Sequence, residues 1–76
     1  MPTLLNLYGL KFFFYSNEHL PIHIHVRNAD GEAKFNLNPI ELLENRGLKS
    51  KDLKKAETVI KERREEFIAK WNEIHN

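Results

Sequence analysis

The stretch Ser16-Asn17-Glu18-His19-Leu20-Pro21-Ile22-His23-Ile24-His25-Val26 decides the fold and contains three of the four histidines of the chain. From residue 22 to residue 26, branched apolar residues alternate strictly with histidine. Successive side chains of a β-strand point to opposite faces, so this alternation predicts a strand. His23 and His25 would share one face of it, about 6.5–7 Å apart, and form a small polar site.

The segment that follows predicts a β-hairpin. Asp30-Gly31 favours a turn that ends in a left-handed glycine, and the alternation resumes from Glu32 to Leu37. A four-residue loop gives a register in which apolar residues face each other and opposite charges meet. In this register the cross-strand pairs are Arg27–Glu32, His25–Lys34, Ile24–Phe35 and His23–Asn36.

A second hairpin and one long helix account for most of the remaining chain. Thr3–Leu7 and Leu10–Tyr15 are apolar, β-prone runs on either side of Tyr8-Gly9, a pair that fits a tight turn. After Ser50, a favourable helix cap, apolar residues recur at spacings of three and four, which predicts an amphipathic helix. Trp71 is expected in the core. The helix should pack on the sheet face that carries Phe12, Phe14, Ile24 and Phe35.

Residues 39–45 allow two interpretations. Asn38-Pro39-Ile40-Glu41 fits a helix cap, a first-turn proline and a capping-box glutamate, and Gly47 is typical of a helix end, which favours a short helix. A fifth strand over Ile40–Leu43 is the alternative. With the short helix, the predicted fold class is α+β. A four-stranded, mostly antiparallel sheet, made of two β-hairpins, would carry the long C-terminal helix on one face, in a single domain.

The composition is typical of a small protein of the cell interior. A chain of 76 residues has a thin core, which oligomerisation often completes, so we expect a homo-oligomer. The absence of cysteine excludes disulfides and thiolate metal sites. We see neither a signal-peptide pattern nor a run of about 20 apolar residues, which predicts a cytoplasmic protein without membrane contact. A net charge of +1 gives no strong electrostatic basis for binding nucleic acid.

The order of the motifs resembles that of one small bacterial family. These motifs are Met1-Pro2-Thr3, Phe12–His19, Pro21–Val26, Gly31–Phe35, Asn45–Leu48 and a terminal helix that ends near Trp71. Over essentially the whole chain they are similar to domain of unknown function 4160. The resemblance implies no activity and no catalytic residue. Genes of that family often lie beside those of domain of unknown function 2442, which implies a partner protein, a toxin–antitoxin-like pair and a bacterial cytoplasm.

A metal site is one hypothesis for the polar stretch. His23 and His25 could supply two imidazole ligands to zinc or another divalent ion. His19 would be a third ligand, and a carboxylate such as Glu18 could complete the site. The alternative is that the imidazoles form hydrogen bonds with polar neighbours or water, and Lys34 beside them disfavours a cation. We therefore expect no bound metal and no cofactor.

A ribonuclease-like site is a second hypothesis. Two histidines can act as acid and base in the attack of a 2′-hydroxyl on a phosphate, and a lysine can stabilise the developing charge. The candidate catalytic residues are His19, His23, His25 and Lys34. The chain has no established catalytic motif, so the sequence does not decide whether the protein is an enzyme.

A binding surface is the third hypothesis. Aromatic residues on the histidine face could stack nucleic-acid bases while basic residues hold phosphates, but such aromatic clusters more often mark protein interfaces. The binding residues would be Phe13, Tyr15, His23, His25, Arg27 and Asn36. The basic residues of the long helix alternate with glutamates, which favours a solvated face over a helix-turn-helix.

Of these hypotheses, we favour a protein-interaction module. It would bind a second small protein, the product of a neighbouring gene, or a second copy of itself. A histidine-dependent ribonuclease is the first alternative and a metal-binding protein is the second. Nucleic acid stays a further candidate partner.

Overall fold

The computed structural model describes residues 3–15 and 17–75, so Ser16 of the quoted stretch lies outside the described residues. Five strands form one antiparallel sheet in the order of the chain, and a long helix follows them. The strands are β1 (Thr3–Leu7), β2 (Leu10–Phe13), β3 (His23–Arg27), β4 (Glu32–Leu37) and β5 (Ile40–Arg46), and the helix is α1 (Ser50–His75). The α+β class and the C-terminal helix are therefore confirmed.

The hairpin of β3 and β4 has the predicted register. Ile24 pairs with Phe35, and His25 pairs with Lys34. The side chain of Asn28 shapes the turn, since its Oδ1 accepts hydrogen bonds from the backbone nitrogens of Asp30 at 2.8 Å and Gly31 at 3.2 Å. The short loop and the alternating polarity thus suffice to align these two strands.

The prediction of a short helix over residues 39–45 is wrong, and the sheet has five strands instead of four. β5 occupies this segment and pairs with β4, and Asn38-Pro39 forms the two-residue loop between them. The Asn38 side chain does not cap a helix. Its Oδ1 accepts a hydrogen bond from Nη2 of Arg64 at 2.7 Å, while Nε of Arg64 donates to the carbonyl oxygen of Leu37 at 2.7 Å. The helix α1 therefore holds the β4–β5 turn directly.

The core lies between α1 and one face of the sheet, as predicted. The ring of Phe67 on the helix stacks on Phe12 of β2 with centroids 5.9 Å apart, and Trp71 meets Phe14 edge to face at 5.1 Å. The helix bends at Arg63, where the backbone leaves helical geometry. The fully buried apolar residues of this core include Leu10, Phe12, Phe14, Ile24, Val26, Phe35, Leu37, Ile60 and Phe67.

The edge strand β5 is the most exposed element of the sheet. Six of its seven residues are exposed, and Leu42 and Leu43 keep 41% and 46% of their surface accessible. The pairing with β4 shifts register between Lys34 and Phe35, which leaves Leu43 without a cross-strand partner in β4. Such a bulge is common at sheet edges. Within residues 3–15 and 17–75, no helix combines the length and apolar character needed to cross a membrane.

Candidate metal centre

One carboxylate and two imidazoles converge on the sheet face opposite α1. Oε2 of Glu18 lies 2.5 Å from Nε2 of His23 and 2.5 Å from Nε2 of His25. These three atoms all lie within 4.8 Å of one another. The side chains are mostly buried, with exposed fractions of 14%, 12% and 9% for Glu18, His23 and His25. We call these three residues the Glu18–His23–His25 group.

The strand β3 and the segment before it build this group. His23 and His25 are two residues apart on β3, so they project on the same face. The chain between β2 and β3 turns back over that face and brings Glu18 to them. The backbone nitrogen of Tyr15 donates to Oε1 of Glu18 at 2.9 Å, which holds one carboxylate oxygen and leaves the other for the histidines.

The ring of His23 is oriented by a backbone carbonyl group. Its Nδ1 lies 2.8 Å from the carbonyl oxygen of Pro21. A carbonyl oxygen can only accept, so Nδ1 carries a proton. Nε2 then either donates a second proton to Glu18 or offers its lone pair to a cation. A carbonyl group behind one ring nitrogen is the usual arrangement of histidines that bind metals through the other nitrogen.

The ring of His25 is enclosed by aromatic side chains. Phe13 stacks on it with centroids 5.4 Å apart, and Tyr15 meets it edge-on at 4.6 Å. Its Nδ1 is 3.4 Å from Oε2 of Glu32, yet within the described part of the chain this buried nitrogen forms no hydrogen bond. The hydroxyl of Tyr15 donates to the same carboxylate oxygen at 3.3 Å. Each histidine thus has an oxygen atom near its Nδ1, from Glu32 for His25 and from Pro21 for His23.

Two pKa values in this region depart from their ordinary range. Burial is the largest single influence on Glu18 and raises its pKa. The hydrogen bonds from His25, the backbone of Tyr15 and His23 together outweigh burial and hold the pKa below its usual value. Burial and the neighbouring Glu32 carboxylate raise the pKa of the Tyr15 hydroxyl. Glu18 is therefore ready to act as an anionic ligand at neutral pH.

The group is better suited to hold a cation than to cleave RNA. Neutral imidazole and carboxylate are common ligands of zinc and related divalent ions. Tetrahedral zinc places neighbouring ligand atoms about 3.3 Å apart, so the Glu18 carboxylate would have to withdraw by about 1 Å to admit an ion. A ribonuclease needs its acid and base on opposite sides of a phosphate. Here both Nε2 atoms face one carboxylate oxygen, which leaves no space for a phosphate between them.

Other predicted site residues lie outside this group. His19 is exposed and is not brought to His23 and His25, since Glu18 takes the place expected for it. Lys34 pairs with His25 across the strands but lines a hollow on the far side of that ring, with Tyr15, Glu32, Glu44 and Arg46. Asn36 donates from Nδ2 to the carbonyl oxygen of Pro39 at 2.8 Å.

The predicted aromatic binding surface is covered within the chain itself. Phe13 has no exposed surface, because the guanidinium of Arg27 lies 5.2 Å from its ring centroid and Lys11 covers it at 5.9 Å. His25 and Tyr15 cover the remaining sides. In this structure Phe13 therefore offers no surface to bases or to a partner protein. Arg27 keeps its predicted position opposite Glu32, but its side chain contacts the Phe13 ring.

Two contributors to the site were missed from the sequence. Glu32 pairs with Arg27 across the strands as predicted, and its carboxylate also faces His25, its diagonal neighbour, and Tyr15. His75, the last residue of α1, reaches the backbone of Tyr15 from 60 residues away. Only the final approach of α1 to the segment before Glu18 places His75 there, and no local pattern carries that information.

Comparison with known proteins places the chain in a family without assigning it an activity. The model of the family described as "Domain of unknown function (DUF4160)" matches residues 9–72, which is most of the chain and confirms the resemblance. Neither the curated proteins nor the solved structures include a match. The chain belongs to the DUF4160 family.

Proposed function

We propose that this protein binds one divalent transition-metal ion, of the zinc class, through Glu18, His23 and His25. The observation that carries the proposal is the convergence of one carboxylate oxygen and two imidazole Nε2 atoms within 4.8 Å. An arrangement with two histidines and one carboxylate leaves at least one coordination position open for water or a small ligand. The affinity would fall in acid, because protons compete with the metal for the same atoms.

The surroundings of the group support this proposal. His23 and His25 each have an oxygen atom behind Nδ1, from Pro21 at 2.8 Å and from Glu32 at 3.4 Å. The hydrogen bond to Pro21 is the kind of outer contact that fixes the ring orientation of a metal-binding histidine, whereas the Glu32 oxygen lies near His25 without a hydrogen bond to it. Burial of all three ligands limits competition from bulk water. Lys34, which disfavours a cation in the sequence pattern, lines a hollow behind the His25 ring.

The direct test is metal titration of protein purified without an affinity tag. We expect one Zn²⁺ or Co²⁺ per chain by native mass spectrometry, and a melting temperature that a chelator lowers. His23→Ala, His25→Ala and Glu18→Ala should each abolish stoichiometric binding. His19→Ala is the matched control, since it removes an exposed imidazole next to Glu18 and should bind metal like the wild type. Equal binding by His23→Ala and His19→Ala would overturn the proposal.

A second proposal, an interaction module, rests on a different part of the molecule. The edge strand β5 exposes Leu42 and Leu43 beside backbone groups that no strand of the described chain covers. Exposed edges of this kind are places where a partner chain adds a strand. We propose that β5 binds a small protein encoded by a neighbouring gene in a bacterial cytoplasm, as in a toxin–antitoxin-like pair, rather than a second copy.

This second proposal is tested by mixing the protein with the product of the neighbouring gene. A 1:1 complex in native mass spectrometry is expected, and Leu43→Lys should weaken it strongly. Thr58→Lys is the control, because it introduces the same charged side chain on the exposed face of α1, and it should leave the complex intact. Equal affinities of the two variants would exclude β5 as the contact. A homodimer that Leu43→Lys disrupts would contradict the choice of partner.

A further inference from the structure

His75, in the last turn of α1, is held between two backbone carbonyl groups. Its Nδ1 lies 3.1 Å from the carbonyl oxygen of Trp71, and its Nε2 lies 3.0 Å from that of Tyr15. A carbonyl oxygen only accepts hydrogen bonds, so the bond between His75 and Tyr15 is donated by Nε2–H of the ring. The ring also stacks on the Trp71 indole at 3.9 Å, which fixes its orientation.

The backbone of Tyr15 connects His75 to the proposed metal ligand Glu18. The carbonyl oxygen of Tyr15 accepts from His75, and the nitrogen of Tyr15 donates to Oε1 of Glu18 at 2.9 Å. Tyr15 is therefore held at both ends. Since Oε1 is fixed by this bond, the other oxygen of Glu18 is directed toward His23 and His25.

A second contact joins the same turn of α1 to the group. The Trp71 ring, on which His75 stacks, lies 5.2 Å from the ring of His23. The end of α1 thus approaches two of the three proposed ligands, Glu18 through the hydrogen-bonded backbone of Tyr15 and His23 through an aromatic contact. No other contact described for α1 reaches this group.

We propose that His75 is a positioning residue of the Glu18–His23–His25 group. By donating to the Tyr15 carbonyl oxygen, it holds Glu18 in the orientation that binds the metal ion. The inference rests on the proposed metal-binding function and extends it, because it makes metal affinity depend on the docking of the helix end. Conversely, a bound ion would hold the end of α1 against the sheet.

The test is a Co²⁺ titration followed by the visible absorption of the bound ion. His75→Phe keeps a ring that stacks on Trp71 and removes the ring nitrogen that donates to Tyr15. We expect it to bind Co²⁺ about 10-fold more weakly than the wild type, the lower end of the effect of removing a direct outer partner, because His75 acts on Glu18 through Tyr15. His75→Arg supplies a stacking plane with several donors and should restore most of the affinity. Asn72→Ala, on the same turn, is the control and should match the wild type.

The outcomes separate this inference from the proposed function. If the wild type binds no Co²⁺, the metal-binding function is wrong. If the wild type binds and His75→Phe binds equally well, the positioning role is wrong. Amide hydrogen exchange at Tyr15 gives a readout without metal, and we expect faster exchange in His75→Phe. Unchanged exchange would overturn the role of His75 even in the apo protein. Should His75→Phe not fold, His75→Gln replaces it, with a smaller expected loss of affinity.

Discussion

The two faces of the sheet are held together by different kinds of interaction. On the face below α1, fourteen buried apolar residues form one continuous core, and Phe12, Ile24 and Phe67 have essentially no exposed surface. On the opposite face, a single carboxylate joins two imidazoles, and Phe13 and Tyr15 enclose the ring of His25. Cohesion on the first face is apolar burial, and on the second it is a polar cluster.

This difference bears on what each face can do. Apolar packing has little directional requirement and depends mainly on the area removed from water. A buried polar cluster is stable only while each group keeps its partner, and it changes with protonation or with a bound ion. We therefore place stability on the helix-covered face and function on the other.

The largest effect should come from truncating the apolar face. Phe67→Ala removes a ring that stacks on Phe12 in the centre of the core. Loss of such a ring leaves a cavity and should lower the free energy of unfolding by about 3–5 kcal/mol, measured by urea denaturation. Glu66→Ala, one residue away and exposed, should change it by less than about 0.5 kcal/mol. A loss below about 1 kcal/mol for Phe67→Ala would show that the core lies elsewhere.

Removing the carboxylate of the polar face should have a smaller effect on stability and a complete effect on metal binding. Glu18→Ala leaves Nε2 of His23 and Nε2 of His25 without their acceptor. An unsatisfied buried donor costs about 1–3 kcal/mol, so the apo protein should unfold at lower urea than the wild type. Zn²⁺ should raise the melting temperature of the wild type and of Phe67→Ala, but not of Glu18→Ala. A metal-induced rise in the melting temperature of Glu18→Ala would contradict the assignment of metal binding to the polar face.

Acid should weaken the polar face selectively. The pKa of Glu18 is held below its ordinary value near 4.5, so the folded state binds its proton less readily than the unfolded state. The stabilisation is complete above the ordinary pKa and is lost as the pH falls through the lowered one. We therefore measure the free energy of unfolding by urea denaturation between pH 6 and pH 3. The difference in this free energy between the wild type and Glu18→Ala should become smaller below about pH 4.5. A difference that is constant with pH would contradict this origin of the stabilisation.

The helix-covered face was largely predictable from the sequence because its signals are local. Alternation in β3 and β4, with a four-residue loop, set the register that pairs Ile24 with Phe35. The spacing of apolar residues after Ser50 identified α1 and its buried stripe. Residues 38–41 were misinterpreted because a helix cap and a two-residue hairpin loop both use asparagine and proline. Only the pairing of β5 with β4, and the bond from Arg64, distinguish them.

The polar face was predictable only in part because its contacts join distant segments. The strand period placed His23 and His25 side by side, and this was local information. Which acidic or basic residue would reach them depended on the path of the chain between β2 and β3, and that path brings Glu18 rather than His19. His75 reaches the site only through tertiary packing. Glu32 is a diagonal neighbour of His25 in the predicted β3–β4 register, so its approach to the ring was available from the sequence.

The smallest effect concerns the outer side of the polar face, where Glu32 lies behind His25. Burial and the Glu32 carboxylate raise the pKa of Tyr15, whose hydroxyl lies 3.3 Å from Oε2 of Glu32. Glu32→Gln removes the negative charge and keeps the shape, so the pKa of Tyr15 should move down toward its ordinary value near 10.0, as measured by ultraviolet absorption of the phenolate.

Glu32→Gln should leave the free energy of unfolding unchanged. It should weaken Zn²⁺ binding, but by less than Glu18→Ala does. Glu32 contacts the His25 ring from behind at 3.4 Å and is not one of the three converging ligands. Glu44→Gln, which neutralises another carboxylate of the same hollow, is the matched control. If both variants lower the pKa of Tyr15 equally, the charge of the hollow as a whole acts on the phenol. A larger decrease in Glu32→Gln would establish that the polar cluster extends through His25 to Glu32, which separates it further from the purely apolar face.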